Sequence, residues 1–499
     1  MFGLEQGTRL MKTRDIFDRD GVRLPIKIDS TSNGEYEPIP IAKRNQEGNR
    51  LALEWATENA KRKGQTRRDF LISSCGAAST LLAINHANAY YGATGGYFDI
   101  AGESALENDA ANAQVGGGEF IFDVQGHYVN PEGDWLSRIP PDARPYAGMQ
   151  KARCADGGEG ERGYLNCLSE SEFIKDIFLD SDTDIMVLSF VPSTRETEPV
   201  TIEDADKTRQ IVAELDGSKR LMIHGRVNPN QDGDLEAMDE LAENWNISAF
   251  KTYTQYGPGG IGYFLHDEPG IAMIERAQKL GVRNICIHKG LPFGPRSYEH
   301  SQSSDIGVVA KMFPDMNFLI YHSSYVSTNE ELDFAEGAGR DGIDTLIQSL
   351  VDNEVSPNSN VYAELGSTWR LLMQKPNDAA HALGKLLRYC GEDNILWGTD
   401  SIWYGSPQDQ IQAFRTFQIS EEYQERFGYP AITPRIREKI FGKNAARPYS
   451  IDQQEIQTLA SKDFVSQEKL VYQENPQPTF LTHGPKTKRE FLNFLKWGG

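Results

Sequence analysis

The sequence predicts an α/β fold, a (β/α)8 TIM barrel, on three observations. Eight apolar runs of strand length follow one another from residue 119 onward. Segments with helical periodicity lie between most of them. Polar, metal-capable side chains stand where the runs end. Strands alternating with helices imply a parallel sheet, and eight such units close into a barrel more readily than they form an open sheet. No G-x-G-x-x-G follows a predicted strand, so a dinucleotide fold has no support.

The chain has 499 residues, 25% of them charged and 39% hydrophobic, which suits one large globular domain with extensions. A net charge of −21 argues against nucleic acid and anionic membrane surfaces as partners. Residues 1–65 are polar, mixed in charge and broken by Pro25, Pro38 and Pro40, and are expected to be disordered or loosely helical. Residues 66–89 carry Arg67-Arg68, an apolar small-residue run to Ile84 and then Ala87-Asn88-Ala89. That order predicts a twin-arginine export signal cut after Ala89, a periplasmic or exported protein, and the twin-arginine translocase as a partner. The run is about 15 residues, too short for a membrane span. Cys75 precedes most of the apolar run, which excludes a lipoprotein site. Residues 90–118, rich in Gly, Ala and Asn, are expected to be a linker.

The barrel is placed at 119–449. Its strands are predicted at 119–125, 184–191, 220–225, 247–252, 284–288, 317–321, 360–365 and 395–398. Helical patterns fall at 170–179, 204–215, 234–244, 268–280, 341–351 and 377–390, with two more at 408–418 and 434–441. Thr433-Pro434 reads as an N-cap followed by an N1 proline. The first connection, 128–170, is long and is expected to wall or cover the pocket. Cys154 and Cys167 flank its Gly-rich middle, where an oxidising compartment would permit a disulfide. Cys286 sits in an apolar strand as inert core, and Cys390 ends a helix. The tail, 450–499, ends in Phe491-Leu492-Asn493-Phe494-Leu495-Lys496-Trp497, apolar enough to dock on the barrel or on a second subunit, so a homodimer is among the partner expectations.

The ends of the runs carry the chemistry. In order they present Gln125 and His127, Ser193, His224 and Arg226, Lys251 and Tyr253, His288 and Lys289, His322, Glu364, and Asp400. Four of the nine His fall at strand ends of one predicted barrel, which a random scatter would rarely produce. A borderline divalent ion such as Zn²⁺ takes imidazole nitrogen and carboxylate oxygen and leaves a position for water. Water so bound has a lowered pKa, a carboxylate can take its proton, and a further His can steady oxyanion charge.

These residues resemble the amidohydrolase superfamily, in the branch that includes aminocarboxymuconate-semialdehyde decarboxylase and resorcylate decarboxylase. The likeness covers roughly 119–449. It rests on the D-x-H-x-H-like opening at Asp123–His127, on His288, on His322 and on Gly398-Thr399-Asp400, with Asn444-Ala445-Ala446-Arg447 similar to the family's closing turn. The resemblance implies one divalent metal, zinc first with manganese or magnesium as alternatives. It implies His127, His288 and Asp400 as ligands and His322 as the catalytic His, with Asp400 accepting a proton. The usual first His of the opening pair is Gln125 here, a weaker neutral donor. Lys251, His224, Arg226 and Trp403 are expected to bind substrate, and Glu364 to orient a ligand or satisfy Arg370.

The reading that follows is a metal-dependent hydrolase, with activated water attacking a C–N or C–O bond of a small substrate. Rim aromatics such as Tyr253, Tyr256 and Trp403 suit a ring-bearing or apolar one. A non-oxidative metal-dependent decarboxylase would use the same residues, and Arg226, Lys289 or Arg296 poised for a carboxylate would favour it. A non-catalytic exported barrel is the remaining alternative, and Gln125 is its support.

Overall fold

The computed structural model describes residues 18–139, 163–214, 219–292, 296–452, 454 and 462–495. A short two-stranded antiparallel sheet pairs β1 (Gly96–Phe98) with β10 (Phe417–Ile419). The eight other strands form one parallel sheet in sequence order: β2 (Phe122–Gly126), β3 (Ile185–Leu188), β4 (Leu221–Arg226), β5 (Ala249–Tyr253), β6 (Asn284–His288), β7 (Asn317–Tyr321), β8 (Val361–Glu364) and β9 (Ile395–Leu396). The sheet closes where β2 meets the segment after β9. Val124 N–H donates to Trp397 O at 3.0 Å and Asp400 N–H to Gln125 O at 2.9 Å, and Gly126 bridges Ser401 in parallel. The predicted (β/α)8 barrel is therefore present, with each strand inside or within a residue or two of its predicted run.

Every residue of β2, β3, β5, β6 and β8 is buried, as expected for strands covered on both faces. Phe122, Val124, Val187, Cys286, Leu319 and Leu396 fill the barrel interior. The outer layer is typified by the helix Glu268–Leu280, at its predicted bounds. Pro269 lies in its first turn, Gly281 ends it at φ 77°, and Met273, Ile274 and Ala277 face inward. Each large apolar side chain so buried is worth about 1.5–3 kcal/mol. Register sets the level of the strand ends: Tyr253 pairs with His288, and His288 with Tyr321, so their side chains reach one rim.

The largest departure from expectation lies before the barrel. The described part of 1–65 is not loose. Residues Lys43–Arg62 form a helix whose Ala52, Ala56 and Ala60 recur every four residues as a buried face. The run expected to be a signal forms two helices, Arg67–Ile72 and Ser74–Tyr90, with Phe70, Leu71, Cys75 and Leu81 fully buried. Small residues on both long helices let the backbones approach closely. Arg67 Nη2 donates to Asp20 O at 2.6 Å, and the Arg68 guanidinium lies over the Phe480 ring at 5.2 Å. Among the described residues no helix is long and apolar enough to cross a membrane. The expected linker, 90–118, contains β1 and a helix at Asn108–Val115.

Ahead of these helices, residues 26–36 run across the barrel mouth. Lys27 pairs with Asp409 at 3.2 Å, Asp29 with Arg370 at 2.8 Å, and Ser32 N–H donates to Pro485 O at 2.8 Å. A Cβ on Gly484 would lie 1.6 Å from Ser32 O, so only glycine permits this crossing. The tail docks on the barrel, with helices at Phe464–Glu474 and Lys488–Phe494 and Phe491 buried. Of the long first connection, 140–162 lie outside the described residues, and the two ends meet where Val129 N–H donates to Leu168 O at 2.8 Å. Cys167 is disulfide-bonded, and Cys154, with which an oxidising compartment would permit a bridge, lies outside the described residues. Cys75, Cys286 and Cys390 are free and buried.

Candidate metal centre

The site is built on the loops that leave β2, β6, β7 and β9. Asp123, inside β2, fixes the β2–β9 seam. Its carboxylate accepts the backbone N–H groups of Gln125 and Thr399, each at 3.1 Å, and the Thr399 hydroxyl. Burial pushes the Asp123 carboxyl up to about 7. This seam sets Gln125 and His127 beside Asp400.

Three imidazoles reach the rim, and each spends one ring nitrogen on a backbone carbonyl. His127 Nδ1 lies 3.0 Å from Ser189 O, His288 Nε2 3.3 Å from Leu291 O, and His322 Nδ1 2.7 Å from Gly366 O. A carbonyl only accepts, so each of these nitrogens donates its N–H there and turns the opposite ring nitrogen into the site. The inner nitrogens then face acceptors. His127 Nε2 lies 3.0 Å from Asp400 Oδ1. His322 Nε2 lies 3.2 Å from His288 Nδ1. Burial, and then the neighbouring His288, lower His322 to about 4, so its neutral form dominates. Ring nitrogens and carboxylate oxygens converging in this way make a donor set that could hold a cation. Imidazoles oriented by carbonyls behind them are the usual form of metal-ligating His. The donor set, nitrogen and carboxylate oxygen, suits zinc.

The backbone and a buried carboxylate hold His322 in place. Residues His322, Ser323 and Ser324 all have positive φ, and Glu364 accepts the His322 N–H at 2.9 Å and the Gly366 N–H at 2.6 Å. Burial pushes the Glu364 carboxyl up to about 8. Of the two roles the sequence left open for Glu364, the structure shows the contact with the His322 backbone, while Arg370 pairs with Asp29 through Nη2 and keeps Nε and Nη1 without a hydrogen bond.

The expected ligands arrive as two neighbouring groups rather than one. His127, Asp400 and Gln125 form the first, with Gln125 Nε2 3.2 Å from Asp400 Oδ1 and Gln125 Oε1 buried without a hydrogen bond. His288 and His322 belong to the second, which is completed by Glu35 from the crossing segment. Glu35 Oε1 lies 3.3 Å from His288 Nδ1 and Oε2 3.4 Å from His322 Nε2. Among the described residues, Glu35, His288 and His322 are the carboxylate and imidazoles close enough to share an ion. Asn33 joins the groups, its amide donating to Glu35 and, at 2.7 Å, to Asp400 Oδ2. Tyr404 adds a hydroxyl to the same network through Ser367 at 2.7 Å. No sequence signal pointed to Asn33 or Glu35.

The expected substrate-binding residues divide. Lys251 lies under the rim, its Nζ without a hydrogen bond and 3.7 Å from the Tyr321 ring centroid. Burial lowers it to about 8, against the pull of Cys286, Glu35, Glu364 and Asp400. Trp403 stacks on His127 at 5.9 Å. His224 is turned into the barrel interior, near Ser189 Oγ at 3.1 Å and Tyr449 Oη at 3.3 Å. Arg226 is paired with Glu198 and, at 2.9 Å, with Asp234, which occupies its guanidinium.

No curated protein sequence matches the chain. Solved structures with a similar fold include 2,6-dihydroxybenzoate decarboxylase from Rhizobium, 15% identical over 67% of this chain and 99% of that one, TM-score 0.37. An uncharacterised TIM-barrel protein from Bordetella bronchiseptica is 14% identical over 68% of this chain and 100% of its own, TM-score 0.42. An amidohydrolase from Burkholderia multivorans with bound zinc is 13% identical over 67% and 100%, TM-score 0.39. The sequence model of the amidohydrolase family matches residues 176–451, more than half of the chain and all of the barrel from β3 to β9, and on that match the chain belongs to the amidohydrolase family.

Proposed function

We propose that the protein is a metal-dependent hydrolase acting on a C–N or C–O bond of a small substrate. The observation that supports this most directly is the set of three carbonyl-anchored imidazoles whose inner nitrogens face one another and two carboxylates. His127, His288 and Asp400 would hold one divalent ion, zinc before manganese or magnesium, with Gln125 as a weak donor through its unpartnered Oε1. Such an ion polarises a carbonyl and makes water nucleophilic near neutral pH. Asp400 accepts the proton of the attacking water. His322 presents a bare Nε2, so it faces the developing oxyanion as a donor only after taking a proton there. Trp403, stacked on His127, is the apolar wall for a substrate ring.

A carboxy-lyase is the second reading, favoured by Lys251. Arg226 and Lys289, the basic groups first suggested for a carboxylate, are occupied by Asp234 and Asp305. Arg296 lies over the Tyr256 ring at 4.6 Å. Lys251 Nζ is left with ring faces and no hydrogen bond, and it can meet a substrate carboxylate from below.

Metal analysis with a screen of esters, amides and aromatic acids tests both readings. Wild type is expected to bind one ion per chain. His288→Ala should lose it, His322→Asn should keep it and lose turnover, and Gln125→His should tighten it. Carbon dioxide release from an aromatic acid without hydrolysis of any ester or amide would select the carboxy-lyase. Metal-free wild type that stays so with Gln125→His would leave a non-catalytic barrel.

A further inference from the structure

We propose that Glu35, from the N-terminal segment that crosses the barrel mouth, is a ligand of the metal centre, so that the site is completed from outside the barrel. This rests on the metal-dependent reading above. The geometry is that of a ligand: one carboxylate oxygen is 3.3 Å from His288 Nδ1 and the other 3.4 Å from His322 Nε2, the ring nitrogens turned into the site. The chemistry is complementary. Position 125 offers a neutral amide, and Glu35 brings an anionic oxygen to the same rim. The segment is also fastened at several points. Lys27 and Asp409 form a buried pair, Asp29 holds the fully buried Arg370, and Tyr36 Oη lies 2.8 Å from Thr31 O and 3.2 Å from Tyr404 Oη. Gly34, at φ 93°, makes the turn that sends Asn33 and Glu35 inward together. A detachable plug would not need a buried ion pair and a tyrosine pair to hold it. Glu35 is therefore assigned as a permanent part of the site.

The test is zinc binding by the full chain, stripped with chelator and reconstituted, with affinity from chelator competition and folding followed by circular dichroism. Wild type is expected to take up one zinc. Glu35→Gln, close to isosteric, should fold as wild type and bind zinc at least tenfold more weakly. Glu35→Asp, which keeps the charge on a shorter stem, should recover part of that loss and remains informative if the Gln variant folds poorly. Zinc affinity unchanged in both variants would overturn the assignment. Tighter zinc binding in Glu35→Gln would also overturn it and identify the segment as an inhibitory plug. Wild type that binds no zinc would instead overturn the metal-dependent reading itself.

Discussion

Gly398 and Gly366 show how little room the site leaves. A Cβ on Gly398 would lie 1.6 Å from Glu364 Oε1, and one on Gly366 would lie 2.2 Å from Gln125 Oε1. Glu364 in turn holds the backbone of His322. Gly398→Ala should therefore cost about 1–3 kcal/mol or more and displace His322, lowering turnover beyond the stability loss. Gly118→Ala, with nothing within 4 Å of its Cβ, should leave both unchanged. Thermal melts and kcat of the two variants check this, and equal melting temperatures would argue that the Glu364 contact is soft. His127, His288, His322 and Asp400 were legible in the sequence because a barrel delivers strand-end residues to one rim wherever the strands are found. Gln125 was legible as a departure. Glu35 and Asn33 were not, because their partners lie some 250 to 370 positions away and no periodicity links them.

At the scale of elements, the strands were legible because they are apolar and short, and helices such as Glu268–Leu280 because cap and stripe agree. The packed Lys43–Arg62 helix, in a stretch expected to be disordered or loosely helical, was not legible for a physical reason. Polar residues with scattered alanines resemble a solvated tail until a second small-residue helix covers the alanine face, and that pairing is tertiary. The crossing segment depends on the Lys27–Asp409 pair, whose side chains are 6% and 0% exposed. Asp409→Ala leaves the Lys27 ammonium buried with only the Ser406 carbonyl, at 2.5 Å, and should destabilise by about 3–5 kcal/mol. Because the segment carries Glu35, the same variant should be cut by protease within 18–42 at lower concentrations than wild type and should lose zinc in parallel. Faster cutting with zinc retained would separate the segment from the site.

Over the whole molecule, residues 23–37 and 479–488 meet above the barrel, and their buried groups couple closure to pH. His483 N–H donates to Trp403 O at 2.7 Å, its Nδ1 has no hydrogen bond, and burial lowers its pKa to about 4 from 6.5. The unfolded chain takes up this proton first, so the contribution is complete above pH 6.5, falls as pH drops toward 4, and is level below that. His483→Gln should reduce the acid loss of stability across that window by up to roughly 3 kcal/mol relative to wild type. Denaturant melts at both ends of the window measure the difference, and parallel losses in the two proteins would contradict it. The same closure bears on residues 66–89. A cut after Ala89 would remove Lys27, Asp29, Asn33 and Glu35, along with the Lys43–Arg62 helix and the Ser74–Tyr90 helix that packs on it. Export by the twin-arginine route, proposed from Arg67-Arg68 and the run to Ala89, then has to leave the extension attached if Glu35 is a ligand. The metal-loaded protein, wherever in the cell it is recovered, is expected to have an intact mass that includes residue 35. Arg67→Lys with Arg68→Lys should lower its melting temperature, because the Arg67 contact to Asp20 O and the Arg68 contact to Phe480 belong to the folded state. A metal-loaded, active chain beginning at Tyr90 would show instead that the barrel completes its site without the extension.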